Sequence, residues 1–134
     1  MVNPEQILAL VNSEFGEKAN FFTPVEVWLN NRKVEDFDDT KVPGVYVFLH
    51  EGVCIKIGKS QTNASKRAMQ HCGTDNTSSA DKKWKMSELR DDAETLLLVY
   101  ALKPPYQEKM HWVLALESFL ERELQPAIPS KRNG

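Results

Sequence analysis

The chain has 134 residues, 41% of them hydrophobic, with two cysteines, three histidines and a formal net charge of -2 at a pI near 5.9. That length and apolar content suffice for one compact domain whose core needs no disulfide framework. No apolar run reaches membrane-spanning length and the N-terminus lacks the basic-then-apolar pattern of a signal peptide, so the expected compartment is the cytoplasm, with no membrane partner.

In chain order, Asn3 and Pro4 open an amphipathic helix through Ile7, Leu8, Leu10 and Val11 that Gly16 stops. Val25 to Leu29 alternates apolar residues and reads as a strand ending at Asn30-Asn31, with a helix as the alternative. The acidic stretch Glu35 to Asp39 is a loop into the most informative segment. There Gly44-Val45-Tyr46-Val47-Phe48, a turn at Glu51-Gly52, and Cys54-Ile55-Lys56-Ile57-Gly58-Lys59-Ser60 form a hairpin. Alternation puts Tyr46 and Phe48 on one side, Val45, Val47 and Leu49 on the other, and Lys56 opposite Ile55 and Ile57. A three-residue turn makes Tyr46 and Lys56 cross-strand neighbours. A phenol beside an ammonium is an acid/base pair in outline, because the cation stabilises phenolate. The plainer reading is an ordinary strand tyrosine and a lysine that snorkels to water.

A helix over Ala64 to His71, capped by Thr62 or Asn63 and ended by Gly73, follows the hairpin. Arg67 and His71, four apart, share a face with Ala64 and Ala68, whose small side chains let the helix lie close to the sheet. A solvated helix face is the alternative for that pair. Gly73 to Ala80 is a polar loop, and Lys82, Lys83, Trp84 and Lys85 place an aromatic among cations, a pattern for stacking on a base beside phosphates, or simply a polar loop. Glu94 to Leu102 reads as the third, buried strand, broken by Pro104-Pro105. The last helix runs from about Gln107 to Gln125, before Pro126. Its apolar stripe of Met110, Val113, Leu116, Leu120 and Leu124 has Glu117 on its edge, where a charge needs a partner or a metal; pairing with Arg122 or exposure to solvent are the alternatives.

Charge is segregated along the chain. Val53 to Arg90 holds eight basic and three acidic residues, a local net of +5, whereas the first 52 residues hold four basic and nine acidic ones, net -5. A basic motif face backed by an acidic one suits phosphate binding by counterion release, with Lys59 and Lys66 joining the Trp84 cluster as contacts to nucleic acid. Cys54 and Cys72, even with His50 or His71, match no zinc spacing and are expected as reduced, packed thiols.

These residues resemble the GIY-YIG nuclease superfamily. Gly44-Val45-Tyr46 looks like the first half of the family motif and Lys56-Ile57-Gly58 stands in place of the second, closest to the phage-type branch whose motif reads Lys-Ile-Gly-Lys. Arg67, His71 and Glu117 follow in the family's order, and the resemblance spans about Val42 to Ile128. It implies an α+β sandwich with a mostly antiparallel, three-stranded central sheet flanked by helices. The nuclease domain would be residues 42-134, with residues 1-41 a helical extension packed on it. It also implies a metal-dependent endonuclease, a phosphodiester hydrolase acting on nucleic acid, DNA before RNA. Tyr46 would be the general base assisted by Lys56 and Lys59, Arg67 the phosphate clamp, His71 the orienting partner, and Glu117 the ligand of one Mg²⁺ or Mn²⁺. The chain departs from the family at Lys56, in place of the second tyrosine, and at Pro129, where an asparagine is expected and Asn133 is only a loose substitute. Two other readings stand beside the nuclease: a binding module of the same fold without catalysis, and a regulatory subunit. The N-terminal region is the expected contact for a partner protein or a second copy.

Overall fold

The computed structural model describes residues 1-29, 40-71, 86-89, 92, 94-106 and 108-129. Helix α1 (Pro4–Phe15) begins with a capping box, Asn3 accepting from the Gln6 backbone while the Gln6 side chain accepts from the Asn3 backbone, and ends at Gly16 with φ 58°. A 3-10 turn (Gly16–Phe21) leads into strand β1 (Phe22–Trp28), followed by β2 (Gly44–His50), β3 (Val53–Ser60), helix α2 (Ala64–His71), a one-turn helix α3 (Met86–Leu89), strand β4 (Thr95–Leu102) and helix α4 (Met110–Leu124).

The sheet is antiparallel throughout and has four strands in the order β1-β4-β2-β3. The expected third strand is therefore a central one, and every residue of β4 is buried. The fourth strand is β1, whose Val25 and Val27 pair with Val99 and Leu97. Leu29 N–H donates to Thr95 O and Lys103 N–H to Phe21 O, so the odd-numbered residues of β1 direct their backbone groups toward β4. Exposed Pro24 belongs to the alternate set, and its missing N–H faces the outer edge, where it removes a donor from a strand that could otherwise recruit another.

Two cores sandwich the sheet. On one face Val45, Val47, Ile57, Leu98 and Leu102 meet Ile7, Val11 and Phe22 from the N-terminal part and Val113, Leu116 and Leu120 from α4. An aromatic cluster extends this contact, with Phe15 edge-on to Trp112 at 6.0 Å and Phe21 tilted on Tyr106 at 4.6 Å. On the other face Tyr46, Phe48, Ile55, Leu97 and Val99 lie under Ala64, Ala68 and Met69 of α2 and Met86 of α3. At the hairpin end, His50 Nδ1 lies 3.1 Å from both Asp92 Oδ2 and Thr95 Oγ1, which fastens β2 to the start of β4. Among the described residues no helix is long and apolar enough to cross a membrane.

The first core holds two acidic groups kept protonated by burial. Desolvation, helped by the charge of Glu121, pushes the Cys54 thiol from 9.0 up to about 12, and burial with Glu26 nearby raises the Tyr100 phenol as well. The unfolded chain releases these protons first, so the native state binds more protons above pH 9 and stability must fall as pH rises. Urea unfolding between pH 8 and 11 should show a loss beginning near pH 9 and steepening above 10, carried in part by Cys54, so that Cys54→Ala flattens its onset. A profile flat to pH 11 would contradict this account of the core.

Candidate active site

The site begins with a problem of parity. The hairpin turn is a two-residue one, with Glu51 and Gly52 both at positive φ (47° and 84°), and it pairs His50 with Val53 and Leu49 with Cys54. Continued regularly, that register would set Ile55 across from Phe48 and turn Lys56 into the α4 core. A β-bulge prevents it: the next pair is Phe48 with Lys56, Ile55 being the extra residue, followed by Val47 with Ile57 and Tyr46 with Gly58.

Two expectations are corrected by this register. Tyr46 and Lys56 are not directly opposed but diagonal neighbours on one face, with Gly58 across from Tyr46. Ile55 does not face away from Lys56, since it packs in the same core as Tyr46 and Phe48. The turn is one residue shorter than the direct pairing required, and the bulge restores the shared face that the shorter turn would have lost. Lys56 is 8% exposed and Tyr46 1%. Lys59 pairs with Val45 and so belongs to the α4 side of the sheet, across from Tyr46, where it is half-buried.

Gly58 is the seat of the tyrosine. A Cβ built there would collide with the Tyr46 hydroxyl and ring, with Cε2 only 2.7 Å away, so the ring lies flat across the glycine backbone. Gly44 is held as closely to the neighbouring strand, where an added Cβ would stand 2.5 Å from the Tyr100 carbonyl oxygen. The two motif glycines thus serve close approach, one of a side chain and one of a backbone.

Helix α2 starts directly beyond β3. Ser60 Oγ accepts from the N–H groups of Thr62 and Asn63, and Asn63, rather than Thr62, caps the helix by accepting from Lys66 N at 3.0 Å. Buried Ala64 and Ala68 lay the helix over the Tyr46 face, and Lys66 and Arg67 are exposed on it. Arg67 Nη1 donates to Gln70 Oε1 at 3.4 Å, which leaves the rest of its guanidinium fork facing solvent. His71 completes the helix; its side chain, and Cys72, Lys82, Lys83, Trp84, Lys85 and Asn133, lie outside the described residues.

Helix α4 runs antiparallel to β3. Its N-terminal Trp112 packs on Phe21, beside Lys103 and the Gly44/Ser60 end of the sheet. Its C-terminal end turns through Gln125 (φ 46°) so that Ala127 N–H reaches Cys54 O at 3.0 Å. Glu121, whose charge acts on Cys54, is therefore level with the start of β3. Glu117 lies four residues earlier, about 6 Å back along the helix, a distance that spans roughly two strand residues. It is 4% exposed, and Arg122, its expected alternative partner, instead lies 3.3 Å from Glu123. Tyr46 and Lys56 thus share one face of the β2–β3 hairpin, with Arg67 on the helix above the tyrosine, and Glu117 is buried on α4, which packs on the other face.

Among the described residues no group of three His, Cys, Asp or Glu side chains could cage a metal. One buried carboxylate is a hard oxygen donor of the kind that suits Mg²⁺ or Mn²⁺ carrying most of its own waters, so the donor set fits such an ion rather than zinc.

No protein-family model and no curated protein matches the chain. Two solved structures are similar to it. One is the N-terminal endonuclease domain of UvrC from Thermotoga maritima with its catalytic magnesium, 21% identical over 72% of this chain and 94% of that one, with a TM-score of 0.46. The other is a point mutant of that domain with its divalent cation, 20% identical over 75% of this chain and 98% of that one, with a TM-score of 0.47. Both are GIY-YIG domains.

Reading the residues alone missed the seat at Gly58, the bulge at Ile55 and the return of Ala127 and Ile128 along β3. Only the first left a signal, a glycine two residues after a lysine in an otherwise aliphatic strand. The tight seat makes a prediction: Gly58→Ala should cost about 1–3 kcal/mol by overpacking. The cost should be smaller in a Tyr46→Ala background, because the hydroxyl, Cζ and Cε2 that the added methyl would meet are all removed. A double-mutant cycle by urea unfolding measures the coupling, and strictly additive effects would place the tyrosine elsewhere.

Proposed function

We propose that the chain is a metal-dependent endonuclease of the GIY-YIG type, hydrolysing phosphodiester bonds in nucleic acid, DNA before RNA. Its catalytic module is residues 42-134, with residues 1-41 an extension of it. The observation that carries the reading is that Tyr46 and Lys56 share one face of the β2–β3 hairpin under the helix that bears Arg67, while α4 packs on the other face with Glu117 buried on it. Such an arrangement matches the needs of the reaction: a base for water, neutralisation of charge on the phosphoryl oxygens, and stabilisation of the leaving 3′ oxygen.

In this reading Tyr46, as phenolate stabilised by the Lys56 ammonium, takes a proton from water. The water oxygen bonds to phosphorus as the P–O3′ bond breaks, and the 3′ oxygen leaves to collect a proton from solvent. Arg67 holds the scissile phosphate with its planar fork, and Lys66 beside it draws in the backbone. His71 orients the water or the phenol. A single Mg²⁺ or Mn²⁺ held by Glu117 would supply Lewis-acid neutralisation at the phosphate and the leaving oxygen. Lys59 contributes long-range field from the opposite face rather than contact with Tyr46, and Lys82, Lys83, Trp84 and Lys85 are further contacts to nucleic acid in this reading. The cytoplasm is the compartment this reading assigns.

A second reading, a nucleic-acid-binding module without catalysis, draws on exposed Pro129, which offers no side-chain donor where the family expects an asparagine. Incubation with supercoiled plasmid and with branched and single-stranded DNA, with Mg²⁺ or Mn²⁺ and with chelator, separates the two. Metal-dependent nicking is expected, reduced at least ~100-fold in Tyr46→Phe, Arg67→Ala and Glu117→Ala with the fold intact. Cleavage that persists with metal in Glu117→Ala would sink the assignment, and salt-sensitive binding without any cleavage would favour the second reading.

A further inference from the structure

The bulge that sets the face of Lys56 is held from outside the sheet. Ala127 N–H donates to Cys54 O at 3.0 Å and Ile128 N–H to Ile55 O at 2.8 Å. In a regular strand, successive carbonyls point to opposite edges, so one passing segment cannot bond two in a row. Here Cys54 and Ile55 both present their carbonyls to the outer edge, which the extra residue of the bulge allows. The contact therefore forms with the bulged strand and not with the regular one, and any contact made by one of two states stabilises that state.

A side chain anchors the same segment. Ile128 is fully buried, in the core that holds Ile55, Tyr46 and Phe48. Chain leaving α4 on one face of the sheet thus passes around the β3 edge and is buried on the other face, bonding the bulge on the way. The competing register would turn Lys56 to the α4 face, among Val45, Val47 and Leu116. The bulge and the clip together decide on which side of the sheet that charge resides.

We propose that Ala127 and Ile128 are positioning residues for the catalytic site: they lock the bulge at Ile55 and thereby hold Lys56 on the Tyr46 face. The consequence for catalysis rests on the nuclease reading above, whereas the position of Lys56 does not.

The test is NMR of the Lys56 side chain in Ile128→Ala, Ile128→Val and Ala127→Pro, under conditions where circular dichroism shows the native fold. With the bulge in place the nuclear Overhauser contacts of Lys56 reach the Tyr46 and Phe48 rings, and with the register slipped they reach Val45 and Val47. Lys59 lies beyond the bulge and changes face in the opposite sense, so a slip exchanges both sets of contacts, whereas general loosening of β3 weakens them without exchange. The expected result is that Ile128→Ala and Ala127→Pro lose about half or more of the Lys56–ring contact intensity and gain contacts to Val45 or Val47, while Ile128→Val stays near the unmodified chain. On a cleavable DNA, kcat should fall in step while KM holds. Should Ile128→Ala fail to fold, Ala127→Pro, which removes one of the two clip hydrogen bonds and keeps the buried anchor, decides the matter. Lys56 contacts that are unchanged, or weakened without exchange, in the folded variants overturn the proposal. If the unmodified chain cuts no DNA, the nuclease reading fails and the Lys56 contacts still decide the clip.

Discussion

The chemistry proposed for this molecule depends on the side of the sheet to which a single lysine is turned. A two-residue turn with both residues at positive φ dictates a pairing in which Lys56 would point into the larger core, among aliphatic side chains and the apolar stripe of α4. One extra residue at Ile55 reverses the parity and brings the charge to the face of Tyr46. The strand pays a local loss of regular pairing, and the chain that follows α4 takes up the carbonyls the bulge turns outward.

The rest of the architecture serves the same edge. Because β3 is the outermost strand, elements on both faces of the sheet can reach it: α2 lies over Tyr46 on one side and α4 supplies Glu117 from the other. The opposite edge is treated differently. There β1 carries a proline whose missing donor faces outward, and the N-terminal helix and aromatic cluster secure that half of the fold to α4. The β3 edge is thus flanked from both faces, and the far edge is guarded against further strands.

Much of this was legible in the residues. The Asn3-Pro4 start and Gly16 stop of α1, the Asn63 cap of α2, the leucine-rich run of β4 and the 3.6-residue stripe of α4 all carry local signals, and each element lies within a few residues of its expected span. The edge of that stripe singled out Glu117 but left open whether it pairs with Arg122 or faces solvent, and the structure buries it. What could not be read was parity and pairing order. Nothing in Cys54-Ile55-Lys56 announces a bulge, because the decision lies in the cost of the alternative register and in a segment some seventy residues away. The fourth strand was likewise visible only as an ambiguous alternation at Val25 and Val27, since strand partners are chosen by the tertiary core rather than by propensity.

The central claim is that a buried carboxylate on α4 completes a metal-dependent site with groups on the far face of the sheet. Titration of Mn²⁺ into the purified chain, followed by electron paramagnetic resonance of the free ion, tests it without reference to any substrate. The account predicts one site per chain that is lost in Glu117→Gln and retained in Arg67→Ala. Equal binding by the unmodified chain and Glu117→Gln would contradict it.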